Sequence, residues 1–210
     1  MEKIEQILPE KIEERSFEII TKELEEQGIF LKEKEAPVIK RCIHTSADFD
    51  YAKNLVFSET AVDRGLEAIR QGASIVTDTQ MARAGINRKK LEAYGGKVYC
   101  FMSDEDVAMM AKRNGTTRAV ASMDKASSLP EKLIFAIGNA PTALLRLDQL
   151  IREGKVAPEL VIGAPVGFVN VIPAKERILT LTDTPYIVAG GRKGGSNIAA
   201  CICNALLYLL

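Results

Sequence analysis

The sequence predicts one α/β domain spanning residues 1–210. It has a mainly parallel central sheet of about five strands, covered by helices on both faces in a three-layer α/β/α arrangement. Three observations carry that expectation. Short apolar, β-prone runs alternate with helical stretches, the signature of right-handed βαβ units. The segments that follow the runs are short loops, three of them rich in Gly, Pro and small residues. No composition shift, Ser/Gly-rich linker, internal repeat or low-complexity segment marks a second domain.

The elements follow in order. Residues 10–27 carry Ile12, Phe17, Ile20 and Leu24 at helical spacing above a charged face, and Gly28 is a natural stop. Pro37 begins an extended segment, VIKRCIHT, a candidate additional strand. Ser46 or Asp48 then caps a short helix through Phe49, Ala52 and Val56. The core strands are SIVT (74–77), KVYCF (97–101), LIFAI (133–137), ELVIG (159–163) and YIVAG (186–190). Helices are expected over ETAVDRGLEAIRQG before the first, MARAGINRKKLEAYGG after it with a break near Gly85, and DEDVAMMAKRNG after the second. PTALLRLDQLIREG follows the third, with Pro141 suited to a first helical turn. The closing stretch SNIAACICNALLYLL is apolar almost all round, so it must be buried in the core or at a subunit interface.

The totals exclude several classes. Lys plus Arg and Asp plus Glu are both 28, so the net charge is zero and lacks the basic excess of nucleic-acid or membrane-surface binders. No apolar run reaches bilayer-spanning length, and the Glu/Lys-rich start has no signal-peptide core. Cys42, Cys100, Cys201 and Cys203 form no CxxC pair, which fits reduced thiols in a cytoplasmic protein without its own zinc or iron centre.

Ligands of open α/β sheets bind beyond the carboxyl ends of the strands. The loops there read TDTQM, MSDED, GNAPTA, APVGF and GRKGGS. In GGRKGGSN four glycines flank Arg192 and Lys193 directly before a helix, a pattern suited to phosphate or carboxylate. It matches neither GxxxxGK[ST] nor GxGxxG, which speaks against a nucleotide enzyme. Asn139 and Thr142 can donate to a ligand. Phe168 offers an apolar contact, and Asp78 just past a strand end reads equally as a cap or a functional carboxylate. Ser16, Arg41 and Arg118 each also read as ordinary surface residues. His44 is the only histidine, with Arg41 and Asp48 near it in sequence, and imidazole suits proton transfer near neutral pH. Cys42, two residues away, would share its face on a strand.

Taken in order, RCIHTSAD, TDTQMARAGI, TTRAVA, AIGNAPTAL, VIGAPVGFVN and GGRKGGSNIAACICNALL resemble the precorrin-8X methylmutases of cobalamin biosynthesis, including the cobalt-precorrin-8 form. The resemblance runs from about residue 12 to the C-terminus. It implies a flavodoxin-like fold and a homodimer with the site near the interface. It implies an isomerase that moves a methyl group from C-11 to C-12 of a corrin ring. It makes His44 the catalytic acid, and Ser16, Arg41 and Arg118 substrate contacts. Thr45, Asp78, Asn139, Thr142, Arg192 and Lys193 complete the expected substrate-binding set. No cofactor is implied, any cobalt being carried by the tetrapyrrole substrate. One departure is that Pro173 and Ala174 stand where the family commonly has a Glu–Ser pair, with Lys175 and Glu176 retained. A non-catalytic tetrapyrrole carrier on the same fold is the alternative.

Overall fold

The computed structural model describes residues 5–210. The charged start of the chain, residues 1–4, lies outside the described residues. Six strands form one sheet: β1 (Leu55–Phe57), β2 (Ser74–Thr77), β3 (Val98–Tyr99), β4 (Leu133–Ile137), β5 (Leu160–Gly163) and β6 (Tyr186–Ala189), in the order β1-β6-β5-β4-β2-β3. The last five are parallel, and β1 joins the edge antiparallel to β6. The parallel strands alone run β3-β2-β4-β5-β6, the flavodoxin-like order, with its switch point between β2 and β4.

Period-two alternation divides the core between the two faces. Ile134 and Ala136 of β4 face one cluster, shared with α1 (Ile12–Glu26), α2 (Ala36–Ser46), α4 (Ala61–Arg70) and α11 (Ser196–Tyr208). Leu133, Phe135 and Ile137 face the other, shared with α8 (Arg118–Ala126), α9 (Pro141–Arg152) and α10 (Val171–Leu179). Both faces are covered, which is why the strands read as continuous apolar runs. The other α-helices are α3 (Tyr51–Asn54), α5 (Gln80–Gly85), α6 (Arg88–Glu92) and α7 (Glu105–Arg113). The last helix, α11, lies in the core of this chain. Ile198, Ile202, Leu206 and Leu207 are all but inaccessible, and each such side chain contributes about 1.5–3 kcal/mol.

Three expectations are corrected. The segment after Pro37 is helix α2, not a strand. Val38, Ile39, Cys42 and Ile43 are buried at positions that share one helical face, and Pro37 stands in the first turn where its missing N–H costs nothing. The additional strand is β1, which takes Val56 away from the expected short helix. Helices α8 and α10 were not expected. The first buries mostly alanines, a weak periodic signal. In the second Pro173 reads as a breaker but falls in the first turn.

Candidate active site

The α2–α11 pair sets out the site. The two helices run antiparallel. Arg41 lies over the Tyr208 ring at 4.6 Å, Thr45 Oγ1 donates to Cys201 Sγ at 3.1 Å, and Asp48, just past α2, meets Lys193, just before α11, at 2.6 Å. Arg41 and Lys193 therefore lie toward opposite ends of the α2–α11 contact, and His44 falls on α2 between Arg41 and the Asp48 that holds Lys193.

His44 is exposed in the last turn of α2, and Ala47 ends that helix in the left-handed region at φ 53°. Its ring stands 5.4 Å from that of Phe17 on α1. Cys42 does not accompany it, because a helix turns positions two apart away from each other. Cys42 is fully buried, and its hydrogen bond to Cys201, then burial, push its thiol well above the ordinary value. It is no nucleophile for this site.

The loop of Arg192 and Lys193 is held from beneath. Lys175 of α10 is 1% exposed and donates from Nζ to the carbonyls of Gly191 and Lys193 at 2.8 and 2.7 Å. Burial lowers its pKa to about 8. Gly194 at φ 156° packs so closely on the strand end that a Cβ there would lie 2.9 Å from the Pro165 carbonyl oxygen. Lys193 Nζ bonds Asp48 and Asp50, whose carboxylates hold its pKa above the usual lysine range and in turn lower that of Asp48. Arg192 lies 5.2 Å from the centroid of Phe168, and beside it Val166, Phe168 and Val169 are exposed.

At the switch point Asp78 is 1% exposed. Its carboxylate accepts the N–H groups of Gly138, Asn139 and Ala140 at 2.8, 2.8 and 2.6 Å. Burial raises its pKa and the three donors oppose that shift. Both carboxylate oxygens are thus engaged in joining the β2 and β4 loops, so the geometry makes Asp78 a brace between them. Thr79 meets Ser196 at 2.7 Å, and Gly138 packs against Ser196 where no side chain would fit.

The remaining expected residues divide between two places. Ser16 lies beside Phe17 on α1, its hydroxyl bonded to the Ile12 carbonyl at 2.9 Å. Thr142 meets Thr117 at 3.2 Å, next to Arg118, on the opposite face of the sheet. It lines an open cleft of about 750 Å³ that also includes Arg146, Pro173 and Arg177. Asn139 is exposed between the two regions. Pro173 thus stands at the rim of this cleft, while Ala174 is core. One chain therefore sets Arg41, His44 and Thr45 on α2, ties Lys193 to the end of α2 through Asp48, carries Ser16 on the neighbouring α1, and leaves Arg118 and Thr142 on the opposite face of the sheet. Sequence reasoning passed over Arg83, whose Nε is buried without a hydrogen-bond partner among the described residues. Its only signal was its place inside TDTQMARAGI. It also passed over Lys175 as the loop's support. Among the described residues no group of three or more His, Cys, Asp or Glu could hold a metal ion. Among them no helix is long and apolar enough to cross a membrane.

Fold and site together define a flavodoxin-like α/β protein with a solitary exposed histidine near the end of a helix that packs along α11. The family model for precorrin-8X methylmutase matches residues 11–209. A cobalt-precorrin-8 methylmutase of Leptospira interrogans is 46% identical, covering 96% of this chain and 94% of that protein. One from Priestia megaterium is 44% identical, with 97% and 89% covered. The crystal structure of the precorrin-8X methylmutase of Thermus thermophilus superposes with a TM-score of 0.85 at 39% identity, covering 95% of this chain and 96% of the other. The chain belongs to the precorrin-8X methylmutase family.

Proposed function

We propose that the protein is the isomerase of cobalamin biosynthesis that moves a methyl group from C-11 to C-12 of the precorrin-8 macrocycle. We take the cobalt-loaded form as its substrate, since the relatives at 46% and 44% identity bear that name. The observation that carries the mechanism is the exposed His44 in the last turn of α2, beside the Phe17 ring that Arg41 also meets. The macrocycle bears acetate and propionate arms. Arg41, Arg192 and Lys193 pair with them, arginine in bidentate fashion. Phe17, against the imidazole, presents an apolar surface to the ring edge. His44 donates a proton to the conjugated system, and the methyl group then migrates across an electron-poor framework. Return of the proton to the imidazole leaves the composition unchanged, as an isomerisation requires. One acid is enough, and such a group supplies about 10²- to 10⁴-fold. The remainder is positioning. No cofactor takes part, and the cobalt belongs to the substrate.

Arg118 and Thr142 reach the substrate from a second copy of the chain in a homodimer, consistent with the exposed Val166, Phe168 and Val169 beside Arg192. The four buried free cysteines fit a reducing cytoplasm. Incubation of the purified protein with cobalt-precorrin-8 tests the reading. Conversion to cobyrinate supports isomerase action, whereas an absorbance shift without product supports a carrier. Sedimentation of the same sample tests the homodimer.

A further inference from the structure

The two halves of α1 are held differently. Ile20 and Leu24, its only buried residues, anchor the C-terminal half. The N-terminal half reaches the site through Glu13 and Phe17, one turn apart. Phe17 stands by His44, and the Arg41 guanidinium lies 5.2 Å from the Phe17 centroid as well as 4.6 Å from that of Tyr208. Arg41 Nη2 donates to Glu13 Oε1 at 2.5 Å. The Arg41 side chain is 19% exposed and that of Glu13 55%. The cation is therefore built in between two rings, while its anion comes from the surface. Beside the pair opens a cavity of about 270 Å³, lined by Phe17, Lys40, Arg41 and Tyr208 among others. It is large enough for one carboxyalkyl arm and too small for a macrocycle.

We propose that Glu13 is a stand-in carboxylate. It occupies Arg41 while the site is empty and is exchanged for a carboxylate arm of the macrocycle when substrate enters. The inference rests on the tetrapyrrole substrate proposed above and deepens it. The exchange keeps the half-buried guanidinium paired throughout, so no unpaired charge is left among the rings. Because the Glu13 contact is exposed, it is cheap to break. A neutral amide does not replace a carboxylate on arginine, so Glu13 makes Arg41 discriminate acidic arms from amidated ones.

The test is steady-state kinetics of the wild type and Glu13→Gln with cobalt-precorrin-8, at low and high salt. Removal of an exposed competitor of this kind shifts binding by about two- to fivefold. The expected result is a KM lower by that factor at low salt, with kcat unchanged and the difference shrinking as salt screens the pair. An unchanged or raised KM, or a fall in kcat, overturns the proposal, since a residue that merely orients Arg41 would weaken binding when neutralised. Wild-type turnover tells the two ideas apart. If the wild type turns over and KM does not fall, the stand-in alone is rejected. If the wild type does not turn over, the isomerase reading is rejected and the stand-in with it.

Discussion

Replacing Lys175 with Met tests how the Arg192–Lys193 loop is supported. The lysine is 1% exposed, and its Nζ donates to two loop carbonyls. Burial lowers its pKa from 10.5 to about 8. Between these values the unfolded chain binds more protons than the folded one, so wild-type stability rises with pH. A lowering of this size corresponds to about 3 kcal/mol, at 1.36 kcal/mol per pH unit. The carbonyl bonds favour the ammonium and reduce that figure. Below pH 8 the lysine is charged in both states and the full burial cost applies. There the variant loses two charge-assisted bonds, about 1.5–3 kcal/mol each, but escapes a burial cost of about 3 kcal/mol, so the wild type is ahead by about 0–3 kcal/mol. Above pH 8 the amine is neutral and still has two hydrogens for its two carbonyls. Urea unfolding of both proteins from pH 6.5 to 10.5 measures the difference. The wild type is expected to gain up to about 3 kcal/mol over the variant across that window, and subtraction removes other titrating groups. A difference that stays flat from pH 8 to 10.5 would refute the reasoning.

Two further outcomes follow from the same geometry. Asp78→Ala strands three backbone donors at the switch point and is expected to cost about 3 kcal/mol or more by denaturant unfolding, with Asp78→Asn costing less because it keeps one acceptor. A loss confined to substrate affinity would show instead that Asp78 acts as a ligand. Gly194→Ala places a methyl group against the Ala164–Pro165 backbone at a φ of 156°, and about 1–3 kcal/mol of stability should be lost together with a raised KM.

The parallel strands were legible because both faces of the sheet are covered, leaving runs such as LIFAI and LVIG with no polar interruption. The helix α2 was not, because VIKRCIHT carries β-branched residues after a proline, and only its packing on α11 settles the period. His44, Arg41 and Lys193 could be picked out as chemistry-bearing types. Their alignment along two antiparallel helices depends on contacts 145 residues apart, between Asp48 and Lys193, which no local pattern encodes. Asp78 was legible as a carboxylate at a strand end but not as a brace, since its three donors come from a loop about 60 residues later. Lys175 gave no hint of burial, because a lysine in a charged run reads as surface.

The most direct test is a single-turnover measurement with His44→Ala and cobalt-precorrin-8. The expected result is that the substrate still binds within a few-fold of the wild type, while the methyl migration slows by about 10²- to 10⁴-fold. Migration at the wild-type rate in that variant would contradict His44 as the acid of the reaction.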